Sequence, residues 1–191
     1  MSQANQILDF WFGKPDEADY GKSRKVWFTK KPEFDQEVRS RFVIDYQQAA
    51  AGHLDDWKAS PLGCLALIIL LDQFPRNMFR GQPQAFATDP QSLAYAHHTV
   101  TQGFDKELLP IQRCFVYLPF EHSENLAHQR QAIELFSTLK DYPECASGVD
   151  YAHRHLKVIE RFGRFPHRNE ILGRETTPEE AEFLKQPGSS F

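Results

Sequence analysis

Long apolar runs are missing from this chain of 191 residues. Its longest strongly apolar stretch, Leu65–Leu71, is far shorter than the roughly 20 residues a membrane-spanning helix needs. The first residues, MSQANQILDFWFG, lack a basic segment followed by a long apolar one, so no secretory signal is expected. Positive charge is not in excess either. A net charge of −4 provides no global field for nucleic acid or for an anionic membrane. Cysteine is scarce: Cys64, Cys114 and Cys145 are odd in number, dispersed and without a CxxC spacing. That pattern suits a reducing compartment and offers neither a disulfide framework nor a zinc site. A soluble cytoplasmic protein is the expectation.

Signature motifs are absent as well. There is no P-loop, no GxGxxG after a strand, no GxSxG elbow and no His-Glu-x-x-His. The Glu-x-x-His pairs of a di-iron bundle are lacking, and His153 and His155 lie on opposing sides of a helix, a poor chelate. No metal and no cofactor are expected. No cysteine adjoins a histidine in sequence, so a thiol nucleophile has no support.

What is present is an ordinary globular composition, 41% hydrophobic and 25% charged, with 16 Phe to fill internal surfaces. The length fits one domain with ample core. Helical periodicity dominates and strand alternation is scarce. Ile7–Phe12 reads as a short helix stopped by Gly13 and Pro15. Val26–Phe28 reads as a brief turn, and Glu33–Ala51 as a helix capped by Gly52. Pro61 opens a run, LGCLALIILLDQF, that is apolar nearly all round and so forms the central buried helix. Thr88-Asp89-Pro90 caps a helix over Gln91–Gln102, and Phe104–Phe120 reads as turns with a short helix. Longer helices are expected over His122–Lys140 and Ala146–Phe162, and Thr177–Glu180 caps a last short one. The fold class is all-α: a single-domain stack of antiparallel helical hairpins, about six to eight helices in all.

One phrase occurs twice. Residues 73–81 read QFPRNMFRG and residues 164–174 read RFPHRNEILGR. Each copy has a Phe-Pro pair after an apolar helical run, then Arg-Asn, then a second Arg beside Gly. The separation is too long for a simple repeat of 34 residues, which leaves duplication and coincidence both open. In the first copy Pro75 interrupts the helix at Phe74, placing Asp72 in its last turn and Arg76, Asn77 and Arg80 after the break. The second copy is denser: Asp150–Arg174 holds six Arg or Lys, three Asp or Glu and three His. His155 shares a helical face with Ile159 and Phe162 and points inward. Arg164, His167, Arg168, Asn169 and Arg174 follow the helix end. Guanidinium forks suit carboxylate or phosphate, but they suit internal ion pairs equally.

A third element, LPFEHSENLAHQ at residues 118–129, packs Glu121, His122, Ser123 and Glu124 at a helix start after Pro119. A His beside a Glu is the minimum for acid–base work, with the carboxylate fixing the tautomer. The alternative for His122 and Glu124 is N-terminal helix decoration, and Glu121 reads that way outright.

These phrases together resemble a mainly bacterial family known only as domain of unknown function nine-two-four. The resemblance runs over nearly the whole chain: ILDFWFG, LDQFPRNMFRG, AFATD, YLPFEHSE with Gln129, RFGRFPHRNEILGR and TPEEAEFL. It implies an all-helical, tetratricopeptide-repeat-like fold and supplies no activity, cofactor or catalytic residue.

Three functions follow from the residues. The first is binding of a small anionic molecule or acidic peptide through Asp72, Arg76, Asn77, Arg80, Arg164, His167, Arg168, Asn169 and Arg174. The second is an enzyme without cofactor, in which His122 or His155 is the acid or base, Glu124 orients it and arginines stabilise developing charge. The third is a purely structural ionic network. Oligomeric state is not legible.

Overall fold

Proline marks where most of the helices begin, because its missing N–H is one of the donors a first turn leaves idle anyway. The structure, a computed structural model, describes residues 3–190, and their regular structure is helical throughout. The α-helices are α1 (Gln3–Phe12), α2 (Pro32–Ala50), α3 (Pro61–Ile68), α4 (Phe74–Met78), α5 (Asp89–Thr101), α6 (Pro110–Glu121), α7 (Leu126–Ser137), α8 (Gly148–Phe162) and α9 (Pro178–Leu184). Short 3-10 turns join several of them. No helix among the described residues is long and apolar enough to cross a membrane.

The expected central helix is α3. Every side chain from Cys64 to Leu71 is fully buried; α1, α5 and α6 pack around α3, and α2 packs against the residues that follow it, 69–73. Its approach to the preceding turn is so close that a Cβ on Gly63 would stand 2.0 Å from the Trp57 carbonyl oxygen; only glycine fits there. Phe74, Phe42, Trp11, Trp27 and Phe115 form a chain of ring contacts at the N-terminal end, the shortest 4.8 Å between Trp27 and Phe115. Burying each such ring contributes on the order of 2–3 kcal/mol. A second, smaller apolar cluster of Val158, Ile159 and Phe165 is packed by Leu126, Phe162 and Phe183. Consecutive helices pack side by side from α5 through α8.

The structure departs from the expected boundaries in three places. The stretch read as turns with a short helix, 104–120, holds all but the last residue of the 12-residue helix α6, which tolerates Pro119 near its end. The helix expected from His122 begins only at Leu126, because Asn125 is its N-cap and accepts from the Ala127 N–H. Thr88 also behaves differently from a cap. Its hydroxyl donates instead to the Leu71 carbonyl oxygen, at 2.6 Å.

Candidate functional site

Pro75 does not end the central helix. Its ring removes the N–H that would bond the Leu71 carbonyl four residues back, and it would clash there in a regular α-helix. The chain absorbs this with a π-helical turn over Ile69–Gln73, closed by the Phe74 N–H on the Ile69 carbonyl, and continues as α4. The Thr88 hydroxyl takes the orphaned Leu71 carbonyl. The wide turn carries Asp72, whose side chain is fully buried. Asp72 Oδ2 accepts from Gln73 Nε2 at 2.6 Å, and Oδ1 lies 2.8 Å from His122 Nδ1 and 3.4 Å from the Arg76 guanidinium. Burial opposes its charge, but Arg76, His122 and Gln73 more than offset that and hold the carboxyl well below the usual range.

The junction of α6 and α7 supplies the partners. Gln129, wholly buried, donates to the carbonyls of Glu121 (2.6 Å) and Ser123 (2.7 Å) and so holds the tight turn. Glu121 therefore faces inward as the last residue of α6, and His122 caps it. His122 keeps 15% of its side chain exposed. Burial, then Arg76, push its imidazole below its ordinary value despite Asp72, so it is neutral at neutral pH. A neutral ring whose Nδ1–H donates to Asp72 has its lone pair on Nε2, and no protein group among the described residues bonds that nitrogen. Glu121 is 3% exposed, and its Oε1 is 3.1 Å from His155 Nδ1 while Oε2 has no hydrogen-bond partner. Burial and the neighbouring Asp72 charge raise its pKa to about 8. It holds its proton at neutral pH.

The second phrase arrives from the other side. Gly163, at φ +68°, ends α8, and a 3-10 turn at Pro166–Arg168 aims Arg168 inward, where its residue is 7% exposed. The Arg168 guanidinium lies between the rings of Phe86 and Phe165, 4.6 Å from each centroid. One nitrogen reaches Asp89 Oδ2 at 3.3 Å, and its buried Nε has no partner. Burial and the nearby Arg76 bring its pKa down to about 10. Arg76 holds the same Asp89 through two bonds of 2.9 and 3.1 Å. The two phrases thus meet at Asp89. His155 and His167 are kept neutral by burial first and by surrounding cations second, with pKa values near about 3 and about 4.

The other residues expected at a site go elsewhere. Asn77 and Arg80 both bind Asp35 of α2, Arg80 through two bonds of 2.7 Å. Arg164 and Asn169 bind Glu180 of α9, whose carboxylate also completes a capping box with Thr177. Glu124 does not orient His122: it pairs with Arg174 at 2.7 and 3.0 Å and accepts from the Phe165 N–H. The reason lies in the turn at His122–Asn125, which puts Glu124 outside both helices. Asp72 takes the place beside His122 that the sequence suggested for Glu124.

Sequence reasoning passed over Asp89, seen only as part of a cap, and Glu121, seen as decoration. For Glu121 a signal existed: it closes the apolar run FVYLPF, where a carboxylate is out of place unless buried for a purpose. Two surface cavities, of about 590 Å³ between α1 and α2 and about 520 Å³ between α1 and the start of α3, have none of the cluster residues in their lining. In the polar cluster Asp72 and Glu121 are buried, while Arg76, Asp89 and His122 keep 21, 18 and 15% of their side chains exposed. Among the described residues, no group of three or more His, Cys, Asp or Glu is placed to hold a metal ion.

Residues 7–188 match a family described as a bacterial protein of unknown function, DUF924. A solved structure from Agrobacterium tumefaciens, also of a protein of unknown function, is 41% identical to this chain. It superposes with a TM-score of 0.83 over 95% of this chain and 96% of that one. No curated protein matches.

Proposed function

This chain belongs to that bacterial family of unknown function, and we propose that the junction of its two Arg-Asn turns is an acid–base site acting on a small anionic molecule. The observation that carries the reading is His122. Its Nδ1 is committed to a buried, ionised Asp72 while its Nε2 is left without a protein partner at a partly exposed position. A neutral imidazole so oriented accepts a proton at Nε2, and the fixed Asp72 charge stabilises the imidazolium that results. Glu121 stays protonated beneath, so it adds no second negative charge beside Asp72. Arg168, with only one long contact to a carboxylate, contributes positive charge that favours an anion. Burial first, and the positive field of Arg76 second, keep His122 deprotonated.

The same Arg168 geometry supports a second reading, in which the face binds an anionic metabolite and turns nothing over. The structural-network reading draws its support from the outer pairs, Arg80–Asp35 and Arg164–Glu180. The proposed site works in the cytoplasm on a small molecule rather than on nucleic acid or membrane.

A thermal-shift screen of carboxylate and phosphate metabolites separates the three. A hit should stabilise the wild type and lose its effect in Arg168→Leu, which keeps an apolar stem between the two rings. Turnover of that hit should fall at least about 100-fold in His122→Asn, with binding retained. Binding with no turnover in the wild type would leave the second reading standing in place of the first. A hit that stabilises Arg168→Leu equally well would remove Arg168 from the site.

A further inference from the structure

Cys114 and Cys145 are 31 residues apart in sequence, yet their Sγ atoms lie 2.7 Å from each other. Cys114 is on α6 and half-buried; Cys145 sits in the 3-10 turn Pro143–Cys145 before α8 and is 3% exposed. Neither is bonded to the other or to Cys64, which lies elsewhere in the core with its thiol 3.3 Å from the Lys58 carbonyl oxygen. Cys145 belongs to the packed apolar core and Cys114 packs against it from a partly buried position, so a rigid wall holds the pair on one side. Contact with Cys145, then burial, raises the Cys114 thiol above its ordinary value, while contact with Cys114 lowers that of Cys145 against burial; the Arg113 guanidinium favours a thiolate at either and Glu144 opposes it.

We propose that Cys114 and Cys145 are a reversible dithiol–disulfide site, oxidised by small-molecule disulfides and restored by thiols. The chemistry balances as an exchange. The Cys114 thiol, the more accessible one, loses its proton and attacks a sulfur of the oxidant, forming a mixed disulfide and releasing one small thiol. Cys145 then loses its proton and attacks the Cys114 sulfur, expelling the second small thiol. Two protein thiols become one protein disulfide, and one small disulfide becomes two thiols. The sulfurs already stand 2.7 Å apart, against about 2.05 Å in a disulfide, so closing the bond calls for only a small approach.

The consequence lies in what the bond would enclose. Residues 114–145 contain the second half of α6, the turn with Glu121 and His122, and all of α7. Oxidation would therefore clamp the segment that presents the acid–base pair, tying α6 to the entry of the helix that carries His155. In a reducing compartment the pair rests as thiols, and a shift toward oxidised small thiols would close it.

The test uses the purified full-length chain treated with oxidised glutathione and then compared with a reduced sample. The expected product is lighter by two hydrogen atoms, retains Cys64 as its only titratable thiol after denaturation, and yields a cross-linked peptide joining Cys114 to Cys145. Its Tm should rise by roughly 5–10 °C, as closing a loop of this length restrains the unfolded chain. Added dithiothreitol should return mass and Tm to the starting values. Cys114→Ser and Cys145→Ser should each lose the cross-link. Three titratable thiols after treatment, a link through Cys64, or a link between chains would overturn the assignment. Because the peptide map is read on the wild type, a variant that folds poorly leaves the test intact.

Discussion

Each copy of the repeated phrase has an outer half and an inner half, and the two halves behave differently. At the outer ends, Asn77 with Arg80 and Asn169 with Arg164 converge on one carboxylate apiece, Asp35 and Glu180, through short paired bonds. At the inner ends, Arg76 and Arg168 share a single Asp89, and Arg168 has only a 3.3 Å contact to it. Around them stand a buried Asp72, a protonated Glu121 and three neutral imidazoles. The outer halves tie α4 to α2 and the second turn to α9, which is architecture. The inner halves leave groups short of partners, a state that packing alone would not favour. Similar local sequence serves two ends because the tertiary surroundings supply carboxylates generously on one side and sparingly on the other.

Glu121 offers the largest test of that contrast. Its folded pKa of about 8 stands above its ordinary 4.5. The stability tied to its proton is complete below about pH 4.5 and is lost as pH rises through about 8. Glu121→Gln removes the loss, so the variant should exceed the wild type by roughly 3–5 kcal/mol in urea unfolding at alkaline pH and match it in acid. His155 and His167 titrate in the opposite sense, below about pH 6.5, and are common to both proteins, so the difference reports Glu121. A constant difference across pH would place an ionised Glu121 in the folded state.

Next in size is Asp89→Ala. It strips Arg76 and Arg168 of their shared carboxylate and should destabilise by about 3 kcal/mol, since it strands a buried cation. Smallest is Arg80→Ala at the outer end. That guanidinium is 38% exposed, so the loss should be at most about 1 kcal/mol despite the good geometry of its pair. Equal losses from Asp89→Ala and Arg80→Ala would erase the distinction between inner and outer halves. Chemical denaturation at neutral pH measures both.

Much of the architecture was legible from local signals. Pro61 and Thr177-Pro178 marked helix starts, Gly52 and Gly163 marked stops, and the apolar run after Pro61 marked the buried centre. Proline inside a helix was the misleading signal. Pro75 read as a break and Pro119 as the residue before a helix start, but a π turn and the Thr88 hydroxyl make room for the first, and the second sits near a helix end. The polar cluster was legible in its residue types and not in its pairings. Asp72, His122 and Arg168 all stood out, yet Asp89 is 13 residues from Arg76 and 79 from Arg168, with nothing local to join them.

The sequence by itself determined that this chain is helical, where its core helix runs, and which polar residues are too costly to be scattered at random. Those follow from short-range rules: periodicity, capping and the scarcity of buried charge. Only the tertiary structure decided that the two phrases meet at Asp89, that Asp72 rather than Glu124 touches His122, and that Cys114 reaches Cys145. Partner choice among charges depends on distances across the fold and on how far burial strips water from each group, and neither quantity is written along the chain.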